Sequence, residues 1–168
     1  GLVLGLDGPD DVARVNAAAN VLGVDTIEVG ATLGVLMEAG VGAFGDLGFM
    51  LRAMEDMREG NERGRIIAQG AARAGAHYKV ARVPVVKMQS ISAYDPRVVE
   101  VTGISMMISA QGADHTAGNL PVFDCKGKTT AELVEASLGI QTVCAAADSL
   151  GLCIFGRSVT NVSSELMV

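Results

Sequence analysis

The sequence predicts an all-α, multihelical fold. Apolar residues recur at helical spacing along most of the 168-residue chain, and each such stretch ends at glycine or opens at a capping residue. Only one run, Tyr78 to Met88, reads as a strand, and Pro84 inside it demotes that run to an edge strand or extended loop. Aromatic residues are 4% and tryptophan is absent, while alanine, glycine and methionine abound, which suits helices packed at close range.

Asp7-Gly8-Pro9-Asp10-Asp11 opens the first helix, with proline and acids in its first turn. Val12, Val15, Ala19 and Leu22 share one face, and Gly23 ends the run. Asp25 to Glu28 has capping-box character and opens a second helix toward Gly40. After the glycine-rich turn 40–48, Leu47, Met50, Leu51, Met54 and Met57 line a third helix and read as core. Asn61 caps a fourth, running through Ile66, Ile67, Ala71 and Ala74 to Gly75. Asp95-Pro96 starts another, with Val98, Val101, Ile104, Ser105 and Ile108 inward and an end near Gln111-Gly112. A polar loop carries Asp114 and His115. Thr129 or Thr130 then caps a helix through Leu133 and Val134, and a last helix runs from about Ile140 to Leu150.

The net charge of −6 argues against a nucleic-acid surface. No apolar run is long enough to span a bilayer and no signal peptide opens the chain, so no membrane role is expected. Three cysteines without framework spacing point to a reducing, cytoplasmic setting. The glycine start, running straight into Leu2-Val3-Leu4, and the end at Glu165-Leu166-Met167-Val168 read as cuts within a larger protein or assembly.

Two phrases carry the functional signal. Ala17-Ala18-Ala19-Asn20-Val21-Leu22-Gly23-Val24-Asp25 and Ala145-Ala146-Ala147-Asp148-Ser149-Leu150-Gly151-Leu152-Cys153 match at a constant offset of 128 residues. Each is an alanine-rich helix stopped by Leu-Gly. Asp148 falls in the last turn, where the helix dipole disfavours a carboxylate by about 0.3–1 kcal/mol. An acid there calls for a reason, such as a donor-rich ligand beyond the helix end.

These phrases, with Ala93-Tyr94-Asp95-Pro96-Arg97 and Gly112-Ala113-Asp114-His115-Thr116-Ala117-Gly118-Asn119, resemble the tungsten-containing aldehyde:ferredoxin oxidoreductases. The resemblance covers most of the chain and implies the family's C-terminal helical domains. On it, residues 1–168 are the helical, cofactor-binding portion of a larger enzyme. The β-rich pterin-binding domain and a Cys-x-x-Cys-x-x-x-Cys segment are absent from this chain.

The resemblance also assigns roles. Asn20 and Asp148 hydrogen-bond the amino-bearing rings of two pterins that chelate tungsten or molybdenum, with Gly151 and Leu152 beside the second. Asn20 departs from the family's aspartate, keeping one acceptor and losing the charge. Asp25 either serves the pterin or caps the second helix. Cys153 matches the fourth ligand of a [4Fe–4S] cluster, whose other three thiolates this chain does not supply. His115 is the catalytic candidate, a proton relay beside the metal.

The implied reaction takes a small aldehyde and water to a carboxylic acid, with electrons passed to ferredoxin. Tungstopterin or molybdopterin and the cluster are the cofactors, incomplete or absent in the isolated chain. The partners are ferredoxin and the remainder of the enzyme. The competing reading is a non-catalytic helical interaction module. A four-helix carboxylate metal protein is excluded, because no Glu-x-x-His pair occurs.

Overall fold

A computed structural model describes residues 2–153 and 156. It is mainly helical and divides into two compact units, residues 1–93 and 94–168.

Unit 1 opens with a short 3-10 turn, Leu2–Leu4, followed by α1 (Pro9–Leu22) and α2 (Thr26–Glu38). Then come α3 (Leu47–Glu59), α4 (Glu62–Ile67) and α5 (Ala71–His77). A hairpin of β1 (Val85–Val86) and β2 (Gln89–Ser90) ends the unit, with Val85 opposite Ser90 and Val86 opposite Gln89. Side-chain caps set three of the helix starts. Asp25, Asp46 and Asn61 each accept the main-chain N–H three residues on, at 2.7, 2.8 and 2.9 Å. The core lies where α3 meets α1 and α4 and α2 meets α5, around Leu33, Leu36, Met50 and Ile67. The methionine face of α3 is therefore core, as its spacing requires: Met50 and Met54 are buried and Met57 packs against them.

Two contacts fix this arrangement. The first is at the α3–α4 crossing, where a Cβ on Gly64 would stand 1.9 Å from the Asp56 carbonyl oxygen. Only glycine permits that approach. The Asp56 carboxylate also takes the Asn61 side-chain amide at 2.8 Å and the Arg63 guanidinium. Burial works to raise the Asp56 pKa, but these two partners outweigh it and hold the carboxyl below its ordinary value. The second contact is Glu28. Its two oxygens accept the N–H groups of Ala71 at 2.8 Å and Ser90 at 2.9 Å, tying α2 to the start of α5 and to β2.

That tie corrects the fourth predicted helix. Gly70 adopts φ 84° and breaks the run into α4 and α5, because the Ala71 N–H finds its acceptor 43 residues away in sequence. Gly75 does not end α5. It lies buried inside the helix, where Val83 occupies the space a side chain would need.

Unit 2 contains α6 (Glu100–Ile108), a long irregular connection, and α7 (Thr130–Ser149). The expected helix start at Asp95-Pro96 is displaced. Asp95 heads a single turn, its carboxylate accepting the Arg97 main-chain N–H at 2.9 Å and the guanidinium at 2.6–3.1 Å. The Arg97 side chain, then its N–H, pulls the Asp95 pKa to about 2. Helix begins only at Glu100, and its inward face is Val101, Thr102, Ser105 and Met106, with Val98 and Ile108 exposed.

Thr129 caps α7 in a reciprocal box with Glu132, and the two C-terminal helices expected from sequence form one continuous 20-residue helix. Among the described residues no single helix is long and apolar enough to cross a membrane.

Candidate functional site

The two repeated phrases fold alike. In α1 the Gly23 N–H donates to Asn20 O at 3.1 Å and the Val24 N–H to Ala19 O at 3.2 Å. In α7 the Gly151 N–H donates to Asp148 O at 3.0 Å and the Leu152 N–H to Ala147 O at 3.0 Å. Each bond in one phrase has its counterpart 128 residues away. Both glycines are left-handed, at φ 70° and 68°, which is the Schellman closure of a helix C-terminus. The N–H groups of Gly151 and Leu152 are engaged in that closure, so these residues shape the turn rather than offer donors.

What the two closures leave open is a side chain. Asn20 and Asp148, the equivalent positions, are exposed, and neither side chain has a partner among the described residues. Asp25, by contrast, is at work in the fold: its Oδ1 takes the Glu28 N–H at 2.7 Å. Of the two readings left open by the sequence, capping is the one with a bond to support it. The two phrases fall in different units.

The His115 loop is a feature of unit 2. Residues Gly112 and Ala113 are buried at its entry, and Gly118 and Asn119 at its exit. Between them Asp114 Oδ1 accepts the Thr116 N–H at 2.8 Å and the Thr116 hydroxyl at 2.7 Å, closing the turn. Asp114 is thereby committed to the loop itself. His115 rides half-buried at the crest, its imidazole without a hydrogen-bond partner among the described residues.

The cysteines separate. Cys144 is buried in α7, and the half-buried Cys125 has its Sγ 3.7 Å from the Phe123 carbonyl. Cys153 alone is exposed, just past the second helix closure.

The family described as "Aldehyde ferredoxin oxidoreductase, domains 2 & 3" matches residues 1–168. The chain belongs to this oxidoreductase family. No curated protein matches it.

The cofactors implied by the family make different demands on these residues. A pterin presents an N–H-rich edge and needs acceptors. Asp148 and Asn20 are open acceptors at like positions, so they fit, Asp148 with charge assistance and Asn20 without. A [4Fe–4S] cluster needs four ligands, and among the described residues no group of three or more His, Cys, Asp or Glu could hold a metal. The described residues therefore supply the cluster with Cys153 at most.

Two working residues escaped the sequence reading. Glu28 looked like half of a capping box but bonds to Ala71 and Ser90 instead. Thr102 was not singled out among the helical residues, and it bonds Asn119 in the His115 loop. Neither has a sequence signal, because both partners are distant in the chain.

Proposed function

We propose that this chain is the helical, cofactor-holding portion of a tungsten or molybdenum bis-pterin enzyme that oxidises aldehydes to carboxylic acids and passes electrons to ferredoxin. The observation that carries the proposal is the pair of matching helix closures, each leaving an exposed acceptor in the same place. Together with the family membership, this supports Asp148 and Asn20 as the residues that hold two pterin edges.

The metal on its pterins supplies the two-electron redox chemistry when bound. The chain's own residues do the rest. Asp148 accepts two N–H bonds through its carboxylate oxygens and fixes the orientation of one ring. Asn20 offers one acceptor and holds the other ring more weakly. His115 takes up and releases a proton at an imidazole ring nitrogen as aldehyde and water become acid. Histidine is the side-chain type whose ordinary pKa suits that exchange near neutral pH. Cys153 contributes one thiolate, the remainder of the enzyme the other three.

The loss of charge at Asn20 favours a second reading, a helical module kept for assembly rather than catalysis. Two variants in the assembled enzyme separate binding from catalysis. Asp148→Ala should lose metal and pterin before any rate can be measured. His115→Ala should keep both and lose turnover by roughly two to four orders of magnitude. Full activity in His115→Ala would remove the relay role.

A further inference from the structure

We propose that Thr102 is a positioning residue for His115, acting through a buried polar seat on which the exit of the His115 loop rests. The inference rests on the proton-relay reading of His115 for its functional meaning, but not for its geometry. Thr102 lies in α6 and is 1% exposed. Its hydroxyl donates to Asn119 Oδ1 at 3.0 Å and accepts the Leu120 N–H at 3.1 Å. One hydroxyl thus secures two consecutive residues, four and five positions after His115. Asn119 is itself 7% exposed, so water cannot readily replace either bond.

The seat extends one turn further along α6. Ser105 and Ser137 hydroxyls are 2.7 Å apart and buried, and Gln141 Nε2 donates to Ser137 Oγ at 3.0 Å, joining α6 to α7. Gly118 lies directly on this group. A Cβ there would meet Gln141 Cγ at 2.7 Å and Ser105 Oγ at 3.2 Å. The exit of the loop is therefore fixed by shape at Gly118 and by hydrogen bonds at Asn119 and Leu120. Among the described residues, the His115 imidazole has no hydrogen bond of its own to hold it. The place of the His115 main chain follows from these anchors and from the turn that Asp114 closes. Because both Thr102 and Asn119 are buried, solvent does not compete for the anchor, and the main chain that carries His115 is held in place.

The chain has only two histidines, and His77, exposed at the end of α5 in the other unit, is an internal reference. The experiment is NMR on the full chain carrying Thr102→Val, which keeps the shape and removes the hydroxyl. The backbone order parameter at His115 should fall from about 0.85 toward 0.6 or below, and its Cε1–H resonance should shift and broaden, while the His77 signals stay put. Thr102→Ser, which restores the hydroxyl, should return the His115 signature. Should Thr102→Val fail to fold, Asn119→Ser gives the same reading more mildly: the Leu120 bond survives and the loop loosens only in part. Unchanged His115 signals in a folded Thr102→Val or Asn119→Ser protein overturn the proposal, as does a Thr102→Ser protein that fails to restore them. Loss of the relay reading would show elsewhere, as full turnover in His115→Ala, and would leave this NMR result intact.

Discussion

Replacing Glu28 tests the account of unit 1 at its most connected point. The residue lies in the first turn of α2, three positions after Asp25, so it orients the helix that follows the first repeated phrase. Its two oxygens hold the N–H groups of Ala71 and Ser90. A hydrogen bond to a charged group contributes about 1.5–3 kcal/mol. Glu28 is half-buried, so solvent competes and the lower end applies to each bond. Glu28→Ala should then cost about 3 kcal/mol, a large share of the 5–15 kcal/mol typical of a domain. With a urea slope of about 1–1.5 kcal/mol/M for a unit of this size, the midpoint should fall by roughly 2–3 M. Glu28→Gln keeps one acceptor and turns an NH₂ toward the other N–H, so it should cost about half as much. Amide exchange supplies the local reading: the Ala71 and Ser90 N–H groups should lose protection together in Glu28→Ala. Equal stability of wild type and Glu28→Ala, or unchanged protection at those two amides, would refute the reasoning.

Gly64→Ala should be severely destabilising, about 3 kcal/mol or more by urea unfolding, because its Cβ would overlap the Asp56 carbonyl. Acid should weaken the start of α7. The Thr129 N–H and then its hydroxyl hold the Glu132 carboxyl below its ordinary pKa, so the stabilisation is present above the unfolded value of about 4.5 and is lost as pH falls through the lower folded value. Amide exchange at Glu132, measured from pH 6 to pH 3, should accelerate beyond its intrinsic pH dependence, and Thr129→Ala should abolish that excess. In the assembled enzyme, His115→Ala should spare the cofactor and slow turnover, whereas Asp148→Ala should lose metal and pterin, and activity with them.

What the sequence made legible was whatever is decided within a few residues. The Pro9 start, the Asp25, Asn61 and Thr129 caps, and the methionine stripe of α3 all follow from local rules, and the structure has them where the spacing puts them. The paired helix closures were legible too, because a Schellman turn is written in five or six consecutive residues.

What was hidden depends on partners far away in the chain. Gly70 breaks a helix that Ile66, Ile67, Ala71 and Ala74 would continue, since the carboxylate of Glu28 takes over the Ala71 N–H. Asp95-Pro96 looks like a helix start, but Arg97 captures the aspartate and holds it in a turn. The division into two units is invisible to periodicity, and so is the Thr102–Asn119 bond, which spans 17 residues. Asp148 stands out in the sequence as an acid at the wrong end of a helix, and Asn20 as its counterpart 128 residues earlier. Only the structure shows that their surrounding main chain is already closed.

The proposal to test is that Asn20 and Asp148 each hold a pterin edge. Its most direct test is metal and pterin analysis of the native protein that contains this chain, isolated without oxygen. The account predicts one tungsten or molybdenum and two pterins per chain, with both lost in Asp148→Ala. Clean absence of metal and pterin from the wild-type material would contradict it and leave the helical module as the better reading.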